Sequence, residues 1–236
     1  MWELICHHEY CWGTIAADRS PWQSDGIATA VTPLPGQPGL RFSTPQSRIV
    51  IPRREVDAWS SMRAIRVEIV ASSLQAGGTV IDADRCFRVS FEGPRRLVVE
   101  ILGQTFKEDI VDLPLGTWVY FNFEHDGVNQ FTYGYFWSAT VGAGSASGLG
   151  GGSPVNMPGM VPPVGPNGVW IGSHIGSPAK HLNGNIRSVK IWRLDPQIMK
   201  KNFAARPFPP PLVDCWANVS ANSRKRRRRT RNAPRG

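Results

Sequence analysis

A chain of 236 residues, 41% hydrophobic and 19% charged, carries enough apolar surface for one sizeable core or at most two small domains. Its 24 glycines, 20 prolines and nine tryptophans fit a turn-rich β protein and exclude a helical bundle or coiled coil, and no apolar run is long enough for a transmembrane helix. The net charge of +9 is a property of the C-terminus: eight cations stand at Arg224, Lys225, Arg226, Arg227, Arg228, Arg229, Arg231 and Arg235, and the rest of the chain balances 19 basic against 18 acidic side chains.

The first ten residues show neither a basic n-region nor a long apolar h-region, so no secretory signal peptide is expected and no compartment is assigned. Cys6-His7-His8-Glu9-Tyr10-Cys11 has the residue types of a zinc site, which needs four N or S ligands. In an extended strand, however, His7 and His8 point to opposite faces, and no second Cys/His pair stands at finger spacing. The expectation is an ordinary first strand without a metal; a Cys6–Cys11 disulfide and a structural ion are the alternatives. With Cys86 and Cys215 the four cysteines allow three pairings and fix no redox compartment.

Strands come next. Ile65, Val67 and Ile69 alternate with Arg66 and Glu68; Phe87, Val89 and Phe91 with Arg88, Ser90 and Glu92; Val119, Phe121 and Phe123 with Tyr120, Asn122 and Glu124. Period two sends one set into a core and the other to an outer face. Turn signals at residues 76–78, 92–94, 115–116 and 126–127 separate these runs, which predicts an antiparallel sandwich or barrel. Phe131, Tyr133, Tyr135 and Trp137 read more simply as a core-facing stripe than as a sugar platform. Residues 142–168, rich in Gly, Ser and Pro, predict one long flexible loop, after which strand residues resume at Val169-Trp170-Ile171. The sandwich is expected over residues 1–205. A Pro-rich strap covers 206–219, and a basic tail that is disordered when unbound covers 220–236.

Three motifs in order resemble one family. Gly39-Leu-Arg-Phe42 with Ser47-Arg-Ile-Val-Ile-Pro52 looks like the opening of a laminin-G-like, concanavalin A-like jelly roll. Leu113-Pro-Leu-Gly-Thr-Trp-Val-Tyr-Phe-Asn-Phe-Glu-His-Asp-Gly127 is similar to its centre, and Trp170-Ile-Gly172 with Leu182-Asn-Gly-Asn-Ile-Arg-Ser-Val-Lys-Ile-Trp192 resembles its end. The resemblance implies an all-β antiparallel sandwich. It also implies non-catalytic binding of a glycan or protein, here through loops at the sandwich rim, and calcium as a conceivable ion. Asp82, Asp84 and Asp126, with Asn129, lie in predicted loops and are the oxygen donors on offer, although Asp-x-Asp and Asp-Gly turns exist for conformational reasons alone.

Enzymatic readings fail on the residues. Hydrolases of this superfamily carry Glu-x-Asp-x-x-Glu, whereas residues 107–112 place Glu108 and Asp112 on one face around Ile110 and lack the motif. No nucleophile elbow or phosphate loop is present. The tail residues Arg224, Lys225, Arg226, Arg227, Arg228, Arg229 and Arg231 suit phosphate, since the guanidinium fork matches it and contact releases counterions. Two function classes follow. The first is a recognition module whose tail touches a polyanion. The second is a virion or particle protein, possessing a jelly-roll body and a nucleic-acid-binding arm. Asn218-Val-Ser220 fits a glycosylation acceptor only in a secreted chain.

Overall fold

The computed structural model describes residues 2–10, 17–53, 59, 62–75, 77–93, 95–110, 113–141, 144–152 and 154–194, all within the compact unit Met1–Lys200. Cys11, Asp112, Cys215, the strap and the whole basic tail lie outside the described residues. Among the described residues the strands in chain order are β1 (Trp2–Glu9), β2 (Ile27–Thr29), β3 (Val31–Pro33), β4 (Leu40–Phe42), β5 (Arg48–Ile51), β6 (Ala64–Ser73), β7 (Gly78–Ala83) and β8 (Phe87–Glu92). Then come β9 (Arg96–Ile101), β10 (Gln104–Asp109), β11 (Val119–His125), β12 (Gln130–Val141), β13 (Gly144–Gly151), β14 (Val155–Asn156), β15 (Val169–Ile171) and β16 (Gly184–Leu194).

They form two antiparallel sheets. The nine-stranded sheet runs β13-β12-β11-β6-β16-β4-β3, with β1 also on β16 and β14 on β12; the seven-stranded sheet runs β10-β9-β8-β7-β15-β5-β2. Strand β16 pairs with β6 along its length, and its other edge is shared end to end by β4, over residues 184–186, and β1, over residues 188–194. On the β6 side the backbones approach closely at Gly184, where a Cβ would lie 2.1 Å from the Ser72 carbonyl oxygen.

The period-two alternation sorts the side chains as expected. Ile65, Val67, Ile69, Phe87, Val89, Phe91, Val119, Phe121 and Phe123 are all buried in the core, while their polar neighbours face out. The sheets meet through aromatic contacts: Phe87 of β8 stands edge-on to Phe123 of β11 at 5.6 Å, and Phe106 of β10 lies 5.1 Å from Phe131 of β12.

The stretch 142–168 departs from the expected single loop. Strand β13 pairs with β12 from Val141↔Gly144 to Gly134↔Gly151, β14 adds a second short ladder, and Met157, Val161 and Val164 are buried. The physical reason lies in the partner strand. A Cβ on Gly148 would fall 2.1 Å from Trp137 Nε1, one on Gly150 2.2 Å from the Tyr135 ring, and one on Gly152 2.5 Å from the Tyr133 ring. The aromatics of β12 lie across a track of alternate glycines, so the apolar surface that orders this edge comes from β12 and not from the Gly-rich segment itself.

Candidate functional site

The outer face of the nine-stranded sheet is organised in rows that cross the strands. One row runs Trp192, Arg66, Glu124, Thr132, through β16, β6, β11 and β12. The next runs Lys190, Glu68, Asn122, Gly134 and Gly151, and a third runs Ser188, Val70, Tyr120, Phe136 and Leu149. Gly134 contributes no side chain, and the Asn122 amide takes the space above it. Between the first two rows lies a cavity of about 290 Å³ lined by Arg66, Glu68, Asn122, Phe123, Glu124, Thr132 and Tyr133.

Each group in this hollow is oriented by another. Arg66 donates from Nε and Nη2 to Glu124 Oε2, at 2.8 and 2.6 Å, and its guanidinium lies 4.9 Å from the centre of the Trp2 ring. Asn122 covers Gly134, where a Cβ would stand 3.1 Å from its Oδ1, and its amide reaches the Tyr120 hydroxyl at 3.5 Å. Burial, together with the nearby Glu68 carboxylate, pushes the Tyr120 phenol above its ordinary range, so it stays a neutral donor at all physiological pH values. Phe136 is 47% and Leu149 82% exposed along the third row. Paired charges, an amide and a hydroxyl thus line one hollow, with a phenol and aromatics in the rows beside it. That arrangement suits hydrogen bonding and stacking against a polar ligand with flat apolar faces.

A second hollow of about 220 Å³ sits at the rim, where turns around Arg85 and Gly103 meet Asp82, Arg88, Glu100 and Gln104. Arg88 binds Glu100 and the His174 ring and lies 3.8 Å from Asp82. Burial raises the Asp82 carboxyl above the usual range, although the Ile175 N–H at 2.9 Å and the Arg88 cation pull it down.

Among the described residues, those offered for calcium are each engaged in holding a turn or loop. Asp82 holds the loop at Ile175, Asp84 Oδ2 accepts from the backbone and side-chain N–H of Asn167, and Asp126 Oδ1 accepts from the N–H groups of Val128, Asn129 and Gln130. These carboxylates tie turns, and no cofactor follows from them. The aromatic stripe is core in the main: Phe131 and Trp137 are buried, while Tyr133 and Tyr135 pack half-buried against the core. Glu108 accepts a hydrogen bond from the Tyr133 hydroxyl at 2.9 Å, which fixes it at the joint between the sheets. Its proposed partner Asp112 lies outside the described residues.

At the N-terminus β1 is a strand, as expected, and His7 and His8 are both buried despite facing opposite ways. Cys6 is a free thiol among the described residues, and Cys11, its partner in the disulfide alternative, lies outside them. The residue that the spacing did not reveal is Asp18. Among the described residues Cys6, His8 and Asp18 form a group of three metal-ligating side chains whose ligand atoms lie within 4.8 Å of one another, all buried.

No protein-family model matches the chain, and no curated protein sequence matches it either. Solved structures do share its fold. The binding domain of botulinum neurotoxin DC, in complex with rat synaptotagmin II, superposes with a TM-score of 0.56 at 10% identity over 84% of this chain. Domain 4 of the extracellular arabinanase AbnA from Geobacillus stearothermophilus, in complex with arabinotriose, superposes with 0.54 at 14% identity, covering 82% of this chain and 94% of that domain. A Trypanosoma rangeli sialidase mutant displaying trans-sialidase activity matches with 0.54 at 14% identity. The chain spans 50% of the botulinum binding domain and 31% of the sialidase.

Proposed function

We propose that this chain is a non-catalytic recognition module of laminin-G-like, concanavalin A-like type that binds a glycan on the outer face of its nine-stranded sheet. The observation that carries the reading is the hollow lined by Arg66, Glu68, Asn122, Glu124 and Thr132. It presents these side chains as donors and acceptors, with Tyr120 behind Asn122 and with Trp192 and Phe136 in the rows on either side. Sugar rings offer hydroxyl edges and apolar faces, and a site of this composition meets both. The likeness to a domain solved with arabinotriose and to a binding domain solved with rat synaptotagmin II agrees in fold. The rim hollow beside Asp82 is the second place for a ligand, in line with the rim-loop expectation.

Arg224–Arg229 and Arg231 belong to the same proposal as a polyanion contact, and a chain ending at residue 223 tests them. Polyanion affinity that vanishes with the tail and falls steeply with salt supports that contact, and would move the particle-protein reading forward if glycan binding were also absent. The main test is a panel of neutral oligosaccharides titrated against the full chain and Asn122→Ala. Saturable binding lost in Asn122→Ala supports the site; equal binding by both chains excludes it.

A further inference from the structure

The edge of the sandwich opposite the glycine track is closed by residues 17–26, which link β1 of one sheet to β2 of the other. Asp18 makes a single antiparallel bridge with His8, and the Arg19 N–H donates to the His7 carbonyl at 2.9 Å, so the segment lies alongside the free edge of β1. A bulge at Ile5 resets the strand, after which Cys6 pairs with Ile191 and His8 with Val189. Both therefore face the core side of the sheet, two residues apart, and Asp18 comes in beside them.

The His8 ring is held in one tautomer. Its Nε2–H donates to the Ser24 carbonyl at 3.2 Å, which leaves the Nδ1 lone pair as an acceptor. His8 is 0% exposed, and Nδ1 has no hydrogen-bond partner among the described residues. A buried, unpartnered imidazole nitrogen backed by a carbonyl on its far side is the arrangement a ligating histidine adopts, with the carbonyl as outer support. The Asp18 carboxylate is aimed by three backbone donors: the N–H groups of His7 at 2.6 Å and Ser20 at 2.9 Å on Oδ1, and that of Ser24 at 2.7 Å on Oδ2. Its fourth donor is the Ser20 hydroxyl at 2.5 Å, a rotor that can swing away and free an oxygen lone pair.

We infer that Cys6, His8 and Asp18 bind a zinc-type divalent cation, with Cys6 Sγ, the second ring nitrogen of His8 and an Asp18 oxygen as ligands. Thiolate, imidazole and carboxylate are the ligand types this ion takes, and three of them leave one corner of a tetrahedron for a water. Two anionic ligands against a dication make the buried set electrically neutral, and the lone pair that is otherwise stranded gains a partner. The ion would cross-link β1 to the segment that leads into β2, and so pin the two sheets at this edge. This inference is independent of the glycan reading.

Cobalt titrated into the reduced full chain tests it. The expected result is a thiolate-to-cobalt charge-transfer band with tetrahedral d–d absorption, saturating at one equivalent, displaced by zinc, absent in Cys6→Ser and intact in Cys86→Ser. The isosteric Asp18→Asn keeps the acceptor for the His7 and Ser20 N–H groups and loses the one for the Ser24 N–H. With its fold checked by circular dichroism it serves if Cys6→Ser does not fold, and it should weaken cobalt at least tenfold. Absence of the band in the wild-type chain overturns the assignment. So does a band that survives Cys6→Ser, or an unaltered affinity in Asp18→Asn.

Discussion

His125 shows how one residue carries more than its own strand. It is 0% exposed, its Nε2–H donates to the Met157 carbonyl at 2.7 Å, and its Nδ1 accepts from the Gly127 N–H at 3.0 Å. The ring therefore fixes both the β11–β12 turn and the chain beyond β14. His125→Ala leaves two buried backbone groups unpaired and should cost about 2–3 kcal/mol in denaturant unfolding; a loss within experimental error would show that water replaces both bonds. The tyrosines make a second case. Burial raises Tyr10 and Tyr120, and raises Tyr133 to about 12 and Tyr135 above its ordinary value with the Glu108 carboxylate adding to both. All four tyrosines thus titrate late in the native state. A phenol whose folded value is raised stays protonated longer than in the unfolded chain, so it favours folding fully below the unfolded value near 10. That contribution is lost as pH rises through the folded values. Ultraviolet titration should show little tyrosinate in the native protein at the pH where the unfolded chain is half ionised, and stability should fall as pH rises between about 10 and 12. An ordinary titration of any one tyrosine in the native protein would contradict this.

At the scale of elements, close approach replaces side-chain bulk at two places, and each gives a substitution with a definite sign. Gly148 lies under the buried Trp137 indole, and Gly184 lies against the Ser72 carbonyl of the neighbouring strand. Gly148→Ala pushes a buried ring out of place and should cost about 1–3 kcal/mol, relieved when combined with Trp137→Leu. Gly184→Ala meets backbone, which cannot rotate away, so its cost should exceed that of Gly148→Ala, and no side-chain change nearby should rescue it. Thermal unfolding of the variants checks both. These positions also mark what a sequence displays and what it conceals. Alternation in β6, β8 and β11 is visible because each strand carries its own apolar set. At the end of β13 the pattern is present as glycine at the alternate positions 148, 150 and 152, but its meaning depends on the rings of β12, and composition alone reads the segment as a loop.

Across the whole molecule, the distinction between local pattern and remote pairing decides how much of the candidate site is legible. Arg66, Glu68, Asn122 and Glu124 are all marked as outward by alternation. Nothing in the order of the chain reveals that β6 and β11 are neighbours, because four strands of the other sheet intervene between them. Asp18 is hidden for the same reason: Cys6 and His8 announce a ligand pair at period two, but the carboxylate arrives from a turn that folds back along the sheet edge. The Arg-rich tail is the opposite case, conspicuous in sequence and outside the described residues. The sandwich therefore supplies two edges with different closures, aromatic rings over glycines at β13 and a buried Cys-His-Asp group at β1, and between them an outer face with a hollow beside Arg66, Asn122 and Thr132.

That hollow is the centre of the account, and its Asn122 wall can be moved without deleting a polar group. A Cβ on Gly134 meets the movable Asn122 amide at 3.1 Å and makes ordinary contact with the Gly150 carbonyl oxygen at 3.8 Å. Gly134→Val therefore sets a strand-favouring side chain against Asn122, pushes its amide out of position and should leave the melting temperature within a few degrees of wild type. The decisive measurement is calorimetric titration of wild type and Gly134→Val with the oligosaccharide that binds best in the panel. The account predicts saturable binding to wild type and at least about a tenfold loss in the folded variant, since the displaced amide no longer meets the ligand. Undiminished binding by a folded Gly134→Val would contradict it and move the ligand to the rim beside Asp82.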